Sequence, residues 1–283
     1  MIPYQRVWLS CCIIGVFELL RRSAYACFGS SAFLPFDKQQ LKKDMPSDCA
    51  GVEKVLRRIG YLRKSGLYDV YPASCPGVHT ECIKTVYCDL KRDGGGWTVI
   101  QRRSSNTFSF FRGWQEYKNG FGNPGKDYWI GNDFIAETTS SGNAHELLIE
   151  LTSPQLDEPI VDKYSNFRVE PESASYRVKF TLLAAQKNSS LAPSRNRLFS
   201  TFDRNSDRAS DIGCGSYWQS GWWHADKCAE TGDLNLPLTN PDPRLAHLNG
   251  ITWKTENGAL VKIDSTLMMI RPTNAAKRGV IRH

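Results

Sequence analysis

The chain has 283 residues, enough for one large domain or two small ones. Its 41% hydrophobic content and eight tryptophans are typical of a globular protein and exclude a largely disordered one. The net charge of +7 is spread along the chain in isolated basic pairs such as Arg57-Arg58 and Arg102-Arg103, which are typical of solvated faces. This pattern argues against a nucleic-acid-binding footprint and supports only a weak preference for anionic surfaces.

The amino terminus has the pattern of a secretory signal peptide. Arg6 supplies the basic start, Val7–Leu20 an apolar stretch interrupted by Glu18, and Ala24-Tyr25-Ala26 a small-residue cleavage motif. The alternative is a membrane anchor, but the apolar stretch is shorter than the ~20 residues that span a bilayer. We therefore expect residues 1–26 to be a signal peptide and the mature protein to be secreted and extracellular, with no membrane span.

Secretion makes the cysteines candidates for disulfides, because these bonds persist in oxidising compartments. Cys11 and Cys12 lie within the signal, so seven of the nine cysteines stay in the mature chain. Cys75 and Cys82 flank a Pro-Gly turn, and this arrangement predicts a local disulfide. Outside the signal no two cysteines have the C-x₂₋₄-C spacing of structural zinc sites, so the sequence does not indicate zinc.

A short polar lead, residues 27–47, precedes the first predicted helix. Asp48 is the expected N-cap of this helix, and an apolar stripe from Val52 to Ile59 has helical spacing. Runs typical of sheet strands follow at Val86–Cys88, Trp97–Gln101, Leu147–Leu151 and Tyr176–Leu183. Regular patterns thin out beyond Ala184, as expected where loops build a binding region.

Two further features belong to the predicted surface. Asn188-Ser189-Ser190 is the only N-glycosylation sequon, and its polar surroundings favour an exposed loop, so we expect glycosylation at Asn188. The chain ends in a basic tail, residues 274–283.

Residues 199–228 carry the most functional information. Asp203, Asn205 and Asp207 stand at alternate positions, and oxygens in this arrangement can converge on one hard cation. An EF-hand does not fit, because an arginine replaces its turn glycine and a cysteine replaces its bidentate glutamate. The alternative is a polar turn without an ion. The same segment continues to Trp222-Trp223, so the acidic turn is followed by an aromatic loop. This combination indicates a recognition surface rather than a catalytic centre.

A series of aromatic and glycine motifs is distributed along the chain. The motifs are Gly94–Arg103 (GGGWTVIQRR), Phe111–Trp114 (FRGW), Glu116–Gly122 (EYKNGFG), Tyr128–Asp133 (YWIGND), Phe199–Thr201 (FST), Gly250–Lys254 (GITWK) and Met269–Pro272 (MIRP). In order and spacing they resemble the fibrinogen C-terminal domain, from about Asp48 to Pro272. The resemblance implies a domain over residues 48–273 with an α+β fold: a small N-terminal disulfide-linked subdomain, a central twisted antiparallel sheet and a loop-rich C-terminal binding subdomain.

The resemblance also implies two disulfides, Cys49–Cys88 and Cys214–Cys228. Together with Cys75–Cys82 they leave Cys27 without an intrachain partner. An odd cysteine in a secreted chain predicts an interchain bond, so we expect a disulfide-linked oligomer through Cys27 unless signal cleavage removes that residue.

For the acidic turn, the resemblance implies a calcium site. The family's ligands are two carboxylates two residues apart and two backbone carbonyls, which fall on Asn205, Asp207, Ala209 and Asp211 here. Asn205 keeps an oxygen ligand but lacks the charge of a carboxylate. We therefore expect weak calcium binding, with a Kd of about 10⁻⁴–10⁻³ M.

The acetyl-binding pocket of lectin-type relatives is altered in this sequence. Trp218 and Trp222-Trp223 keep the aromatic positions, and Lys227-Cys228 is where relatives adopt a cis peptide. Ala229 replaces the pocket histidine, and His247-Leu248 replaces a Tyr-Ala pair. We expect the retained positions and His247 to form the ligand-binding surface, and N-acetylated sugars to bind poorly because most slot residues differ.

Three classes of function can be compared. A calcium-assisted, lectin-like or innate-immune factor that binds a glycan or acetylated ligand is favoured by the aromatic loop and the acidic turn. An angiopoietin-like ligand that engages a receptor or matrix protein without sugar binding is favoured by the altered pocket. An enzyme is not expected, because the sequence has no G-x-S-x-G motif, no Cys/His nucleophile pair and no carboxylate dyad. Of the three, the sequence favours the lectin-like hypothesis.

Overall fold

The structure, a computed structural model, describes residues 44–74, 82–182, 189–207, 213–228, 232–239 and 250–273, without the Lys227 side chain. All of them belong to one compact unit, residues 37–283. The α-helices in these ranges are Cys49–Arg58 (α1), Trp114–Asn119 (α2), Asn132–Ser140 (α3) and Cys214–Trp218 (α4). The strands are Gly66–Val70 (β1), Lys84–Asp89 (β2), Trp97–Arg103 (β3), Phe121–Gly122 (β4), Tyr128–Trp129 (β5), His145–Thr152 (β6), Ile160–Val169 (β7), Val178–Leu182 (β8), Thr252–Lys254 (β9), Leu260–Lys262 (β10) and Ser265–Pro272 (β11).

An antiparallel sheet forms the centre of the domain. Its strands follow the order β1-β2-β3-β11-β6-β7-β8, β5 pairs with both β3 and β4, and β9 and β10 form a separate hairpin. Trp97 and Val99 of β3 pack against Leu148 of β6 and Met269 of β11, and all four side chains are at most 1% exposed. The predicted α+β fold with a central antiparallel sheet is confirmed.

The first predicted helix is also confirmed, and its cap is the expected one. The Asp48 carboxylate accepts a hydrogen bond from the Gly51 N–H at 2.7 Å, which satisfies a donor that the first turn of α1 leaves unpaired. The helix buries Val52 and Leu56 completely. A disulfide between Cys49 and Cys88 ties α1 to β2 and forms the N-terminal disulfide-linked part of the domain.

The GGGWTVIQRR and MIRP motifs contact each other where β3 begins and β11 ends. The Asp93–Gly96 turn has positive φ angles throughout, and a Cβ on Gly95 would lie 2.6 Å from the Leu90 carbonyl oxygen, so only glycine fits there. Arg271 of β11 donates hydrogen bonds to the Asp93 and Gly95 carbonyls at 2.6 and 2.9 Å. Its guanidinium also stacks 4.1 Å from the centre of the Trp97 ring.

The structure differs from the sequence expectations in the second half of the chain. The strand expected at Tyr176–Leu183 begins at Val178, because Ser175 and Tyr176 have φ angles of 49° and 47°, and Leu183 lies outside the described residues. The region beyond Ala184 is not all loop, because β11 lies there and pairs with β3 and β6 in the middle of the sheet. Among the described residues, no helix is long and apolar enough to cross a membrane.

Candidate recognition site around the Cys214–Cys228 disulfide

The segment that the sequence singled out folds back on itself. Ser200 and Trp222 exchange backbone hydrogen bonds of 2.9 and 3.1 Å, which hold the two ends of the segment side by side. The disulfide between Cys214 and Cys228, implied by the resemblance, is present with Cα atoms 5.1 Å apart. It joins the start of α4 to the end of the aromatic loop, so the loop ends are fixed.

A buried polar network ties this region to the sheet. Gln101 of β3 donates to the Leu234 carbonyl at 2.8 Å, and Asn235 donates its side-chain N–H to the Gly221 carbonyl at 2.9 Å. The Tyr117 hydroxyl accepts the Gly221 N–H at 3.1 Å, and burial raises the pKa of Tyr117. Because such groups are costly to bury unpaired, these bonds fix the loops in one arrangement.

The paired tryptophans Trp222 and Trp223 are buried, so the expectation that they form part of the ligand-binding surface is wrong. The rings of Trp222 and Trp223 are each 1% exposed. Trp222 donates its indole N–H to the Ser194 hydroxyl at 3.2 Å, and Trp223 donates to the Tyr176 carbonyl at 2.7 Å. Trp223 also packs against Phe199, with ring centres 5.3 Å apart. Both rings belong to the aromatic core that joins the loop to the sheet.

Trp218 and Cys228 are brought together, although neither is widely exposed. The Trp218 indole N–H donates to the Cys228 carbonyl at 3.0 Å, and its side chain is 5% exposed. The implied cis peptide at Lys227-Cys228 is not found, since the described residues contain no cis bond. Instead, Cys228 adopts a left-handed conformation with φ of 51°.

Several expected residues lie outside the described ranges. These are His247 with Leu248 and Ala229 of the altered pocket, the carbonyl ligands Ala209 and Asp211, Cys27, Cys75, Asn188, residues 1–26, most of the 27–47 lead and the 274–283 tail. Cys82 is disulfide-bonded, and its expected partner Cys75 is among these residues.

Within the acidic turn, Asp203 has a different role from Asn205 and Asp207. The Asp203 carboxylate accepts the Trp114 N–H at 2.9 Å and the Thr201 hydroxyl at 2.6 Å, so it caps the start of α2. The glycine of the FRGW motif allows this close approach, because a Cβ on Gly113 would lie 2.7 Å from the carboxylate and displace it. Asp203 therefore has a structural role, which sequence reasoning did not separate from the cation-binding pattern.

Asn205 and Asp207 both lie against the start of α4. The Asn205 amide group lies 3.0 Å from the position of a Cβ on Gly213, and Asp207 accepts the Cys214 N–H at 3.3 Å. Two oxygen-bearing side chains of the turn thus meet one short stretch of backbone. No group of three His, Cys, Asp or Glu side chains in the described ranges has metal-binding geometry. Calcium binds carboxylate, amide and backbone carbonyl oxygens, so the Asp207 carboxylate and the Asn205 amide are both suitable ligand types.

A buried histidine lies beneath this turn. His224 is 5% exposed, and its Nε2 has no hydrogen-bond partner among the described residues. Burial lowers the pKa of His224 to about 4, partly opposed by the nearby Asp207 charge. The Asp233 carboxylate is 3.8 Å from its Nδ1, but the imidazole is neutral at pH 7, so this contact is not an ion pair.

Three aromatic side chains are exposed beside the turn, and we call them the aromatic face. Phe111, Phe202 and Tyr217 are 44%, 45% and 38% exposed. The rings of Phe111 and Phe202 lie 4.8 Å apart, and the Ser216 hydroxyl, next to Tyr217, donates to the Phe202 carbonyl at 3.4 Å. Sequence reasoning missed this face because its members are far apart in the chain. The FRGW motif contains Phe111, and the 199–228 segment contains Phe202 and Tyr217, but nothing in the sequence links the two.

The Arg102-Arg103 pair was expected on a solvated face, and this expectation is wrong for Arg103. Its side chain is 2% exposed, stacks 4.2 Å from the centre of the Phe110 ring and donates to the Asn235 carbonyl at 2.9 Å. Strand β3 alternates its side chains between two faces, so one arginine of the pair is directed inward.

Comparison with known proteins identifies the class to which this fold belongs. Residues 48–273 match the family model of the C-terminal globular domain of fibrinogen beta and gamma chains. Angiopoietin-1 from Canis lupus familiaris is 37% identical over 227 residues, which is 80% of this chain and 42% of that protein. This chain thus spans less than half the length of angiopoietin-1.

Solved structures give the same result. The fibrinogen-like globe domain of human ANGPTL6 is 31% identical, with a TM-score of 0.65 over 80% of this chain and 95% of that one. Lamprey fibrin D-dimer, complexed with the peptide ligand Gly-His-Arg-Pro-amide, is 25% identical with a TM-score of 0.65 over 84% of this chain and 76% of that one. The protein belongs to the fibrinogen C-terminal domain family.

Proposed function

We propose that the protein is a secreted, non-enzymatic recognition protein whose aromatic face binds a peptide segment of an extracellular protein. The observation that carries this proposal is the distribution of the aromatic residues. The paired tryptophans Trp222 and Trp223 are buried and hydrogen-bonded within the domain, whereas Phe111, Phe202 and Tyr217 are exposed. The disulfides support an extracellular location, because such bonds persist in oxidising compartments.

The aromatic face has the properties of a protein-binding surface. Exposed aromatic side chains that lie together contribute most of the binding energy in many protein interfaces. Their support is rigid here: Asp203 holds the Phe202 turn against α2, and the Cys214–Cys228 disulfide holds α4, which carries Tyr217. A rigid surface loses little conformational entropy on binding. The peptide complex of the lamprey relative supports a peptide as the ligand class.

The test is selection of peptides from a phage-displayed random library on the secreted domain. A double variant, Phe202→Ser with Tyr217→Ser, serves for counter-selection. Leu67→Ser with Leu260→Ser is the matched control, because Leu67 and Leu260 are 54% and 56% exposed and lie on β1 and β10. We expect sequences that bind wild type and the control at least tenfold better than the double variant. Enriched peptides that bind all three proteins equally would refute the proposal.

A calcium-assisted lectin is the second candidate, favoured by the Asn205 amide group and the Asp207 carboxylate against the start of α4. A glycan array with calcium and with EDTA separates the two candidates. Calcium-dependent binding of N-acetylated glycans that survives the Phe202→Ser/Tyr217→Ser exchange would favour the lectin and contradict the peptide proposal. We expect no such binding, because Ala229 and Leu248 replace pocket residues of the family.

We also propose that calcium binds weakly at Asn205 and Asp207, with carbonyl ligands near Ala209 and Asp211. With a Kd of about 10⁻⁴–10⁻³ M, millimolar calcium should stabilise the domain by about 1 kcal/mol, or about 2–4 °C in Tm. Asp207→Ala should remove the shift and Asn205→Asp should enlarge it, while Asp157→Ala, an exposed acid outside the turn, should leave it unchanged. Wild type that melts at the same temperature in calcium and in EDTA would contradict this proposal.

A further inference from the structure

A cavity of about 200 Å³ lies between the end of β3 and the loop that follows it, and the exposed Phe111 side chain is one of its walls. Phe108, Phe110 and Phe111 supply apolar walls, and Thr107, Ser109 and Gln219 supply polar groups. The walls are fixed, because Phe108 and Phe110 also pack on Phe121, with ring centres 6.1 and 5.0 Å away. A cavity of ~150 Å³ accommodates benzene, so this one has room for a six-membered ring with a small substituent.

The cavity has an unusual cation on its wall. Arg103 lines it and is 2% exposed. One terminal nitrogen of its guanidinium donates to the Asn235 and Leu236 carbonyls at 2.9 and 2.5 Å, but its Nε has no hydrogen-bond partner among the described residues. Arginine is always protonated in proteins, so this is a buried positive charge with an unused donor.

No carboxylate in the described residues forms an ion pair with Arg103 within 4.0 Å; the Asp127 and Asp233 charges act on it from farther away, and both carboxylates accept hydrogen bonds from other groups. Asp127 accepts hydrogen bonds from the Ser104 N–H at 2.8 Å and the Ser104 hydroxyl at 3.0 Å. Asp233 accepts from the Ser220 hydroxyl at 2.5 Å and the Asn235 N–H at 2.8 Å. A buried charge without a close counter-ion is costly, and an anionic ligand would relieve that cost.

We infer that this cavity binds a small aromatic carboxylate, with the carboxylate on the Arg103 guanidinium and the ring between the phenylalanine walls. The guanidinium is the side chain best suited to a carboxylate, and the apolar walls favour a flat hydrocarbon body. The cavity shares Phe111 with the aromatic face, but Phe202 and Tyr217, which are exchanged to test peptide binding, do not line it, so either proposal can fail without the other.

The experiment is an NMR titration of the ¹⁵N-labelled domain with benzoate, benzamide and sulfate, following the Thr107, Ser109 and Gln219 amides. Benzamide has the shape of benzoate without its charge, and sulfate has charge without the ring. We expect benzoate to bind with a millimolar or lower Kd and both other probes at least tenfold more weakly. Equal affinity for benzamide or sulfate, or no shift of these amides in 10 mM benzoate, would overturn the inference.

Variants test the role of Arg103. Arg103→Gln should weaken benzoate binding at least tenfold, whereas Arg102→Gln should change it less than twofold. Arg102 is the matched control because it lies next to Arg103 on β3 and stacks on Tyr87 outside the cavity. Since Arg103→Gln also loses hydrogen bonds to two carbonyls, Thr107→Trp provides a second variant that fills the cavity from an exposed position. Benzoate binding that survives Thr107→Trp unchanged would place the ligand elsewhere and refute the inference.

Discussion

Replacing Trp223 by phenylalanine tests whether the paired tryptophans are core residues. The exchange removes roughly 40 Å³ of ring from a fully packed site, which costs about 1 kcal/mol at ~24 cal/mol per Å³ of cavity. It also removes the indole N–H that donates to the Tyr176 carbonyl at 2.7 Å, and an unpaired buried carbonyl costs about 1–2 kcal/mol. The free energy of unfolding should therefore fall by about 2–3 kcal/mol.

The assay is urea unfolding followed by far-UV circular dichroism, which does not depend on the fluorescence of the replaced tryptophan. Phe202→Leu is the control, because Phe202 is 45% exposed and its exchange should change stability by less than about 0.5 kcal/mol. The loss of peptide affinity should show the opposite order: Phe202→Leu should bind the peptide more weakly than Trp223→Phe does. A Trp223→Phe variant as stable as wild type but unable to bind would mean that the ring contacts ligand.

Three further predictions concern stability. Replacing both Cys49 and Cys88 by serine opens a disulfide with a sequence separation of 39, and the free energy of unfolding should fall by about 4 kcal/mol; a loss below about 1 kcal/mol would contradict this. Gly95→Ala should cost more than about 2 kcal/mol because of its contact with the Leu90 carbonyl, whereas Gly142→Ala, with φ of 87° and no atom within 4 Å, should cost only about 1 kcal/mol; similar costs would refute the steric explanation. In EDTA, stability should fall as pH decreases from about 6.5 to 4, because the pKa of His224 is lowered to about 4 in the fold and the unfolded chain binds the proton first. This decrease should be smaller in His224→Gln, and equal pH profiles would contradict the buried, neutral histidine.

Local physical signals predicted the parts of the fold that depend on neighbouring residues. Asp48 followed by an apolar stripe specifies a capped helix, and the glycines of residues 94–96 specify a turn with positive φ angles. The position of β11 could not be read in this way, because its place between β3 and β6 depends on residues more than a hundred positions away. The family resemblance supplied the disulfide pairs, which spacing alone leaves open.

At the candidate site, sequence identified the right segment but not which way its side chains point. Trp222 and Trp223 have the composition of a binding loop, yet Ser194 and Tyr176 satisfy their indole N–H groups inside the domain. Arginine is a residue type usually found at the surface, but the position of Arg103 on β3 directs its side chain inward. In each case the outcome depends on distant partners, which periodicity within a single segment does not reveal.

The most direct test of peptide recognition by the aromatic face is the affinity of one selected peptide for three proteins. Wild type and the Leu67→Ser/Leu260→Ser control should bind it within twofold of each other, and the Phe202→Ser/Tyr217→Ser variant at least tenfold more weakly, a difference of about 1.4 kcal/mol or more. Excess N-acetylglucosamine should not displace the peptide. Equal affinity for all three proteins, or displacement by the sugar, would contradict recognition through this face.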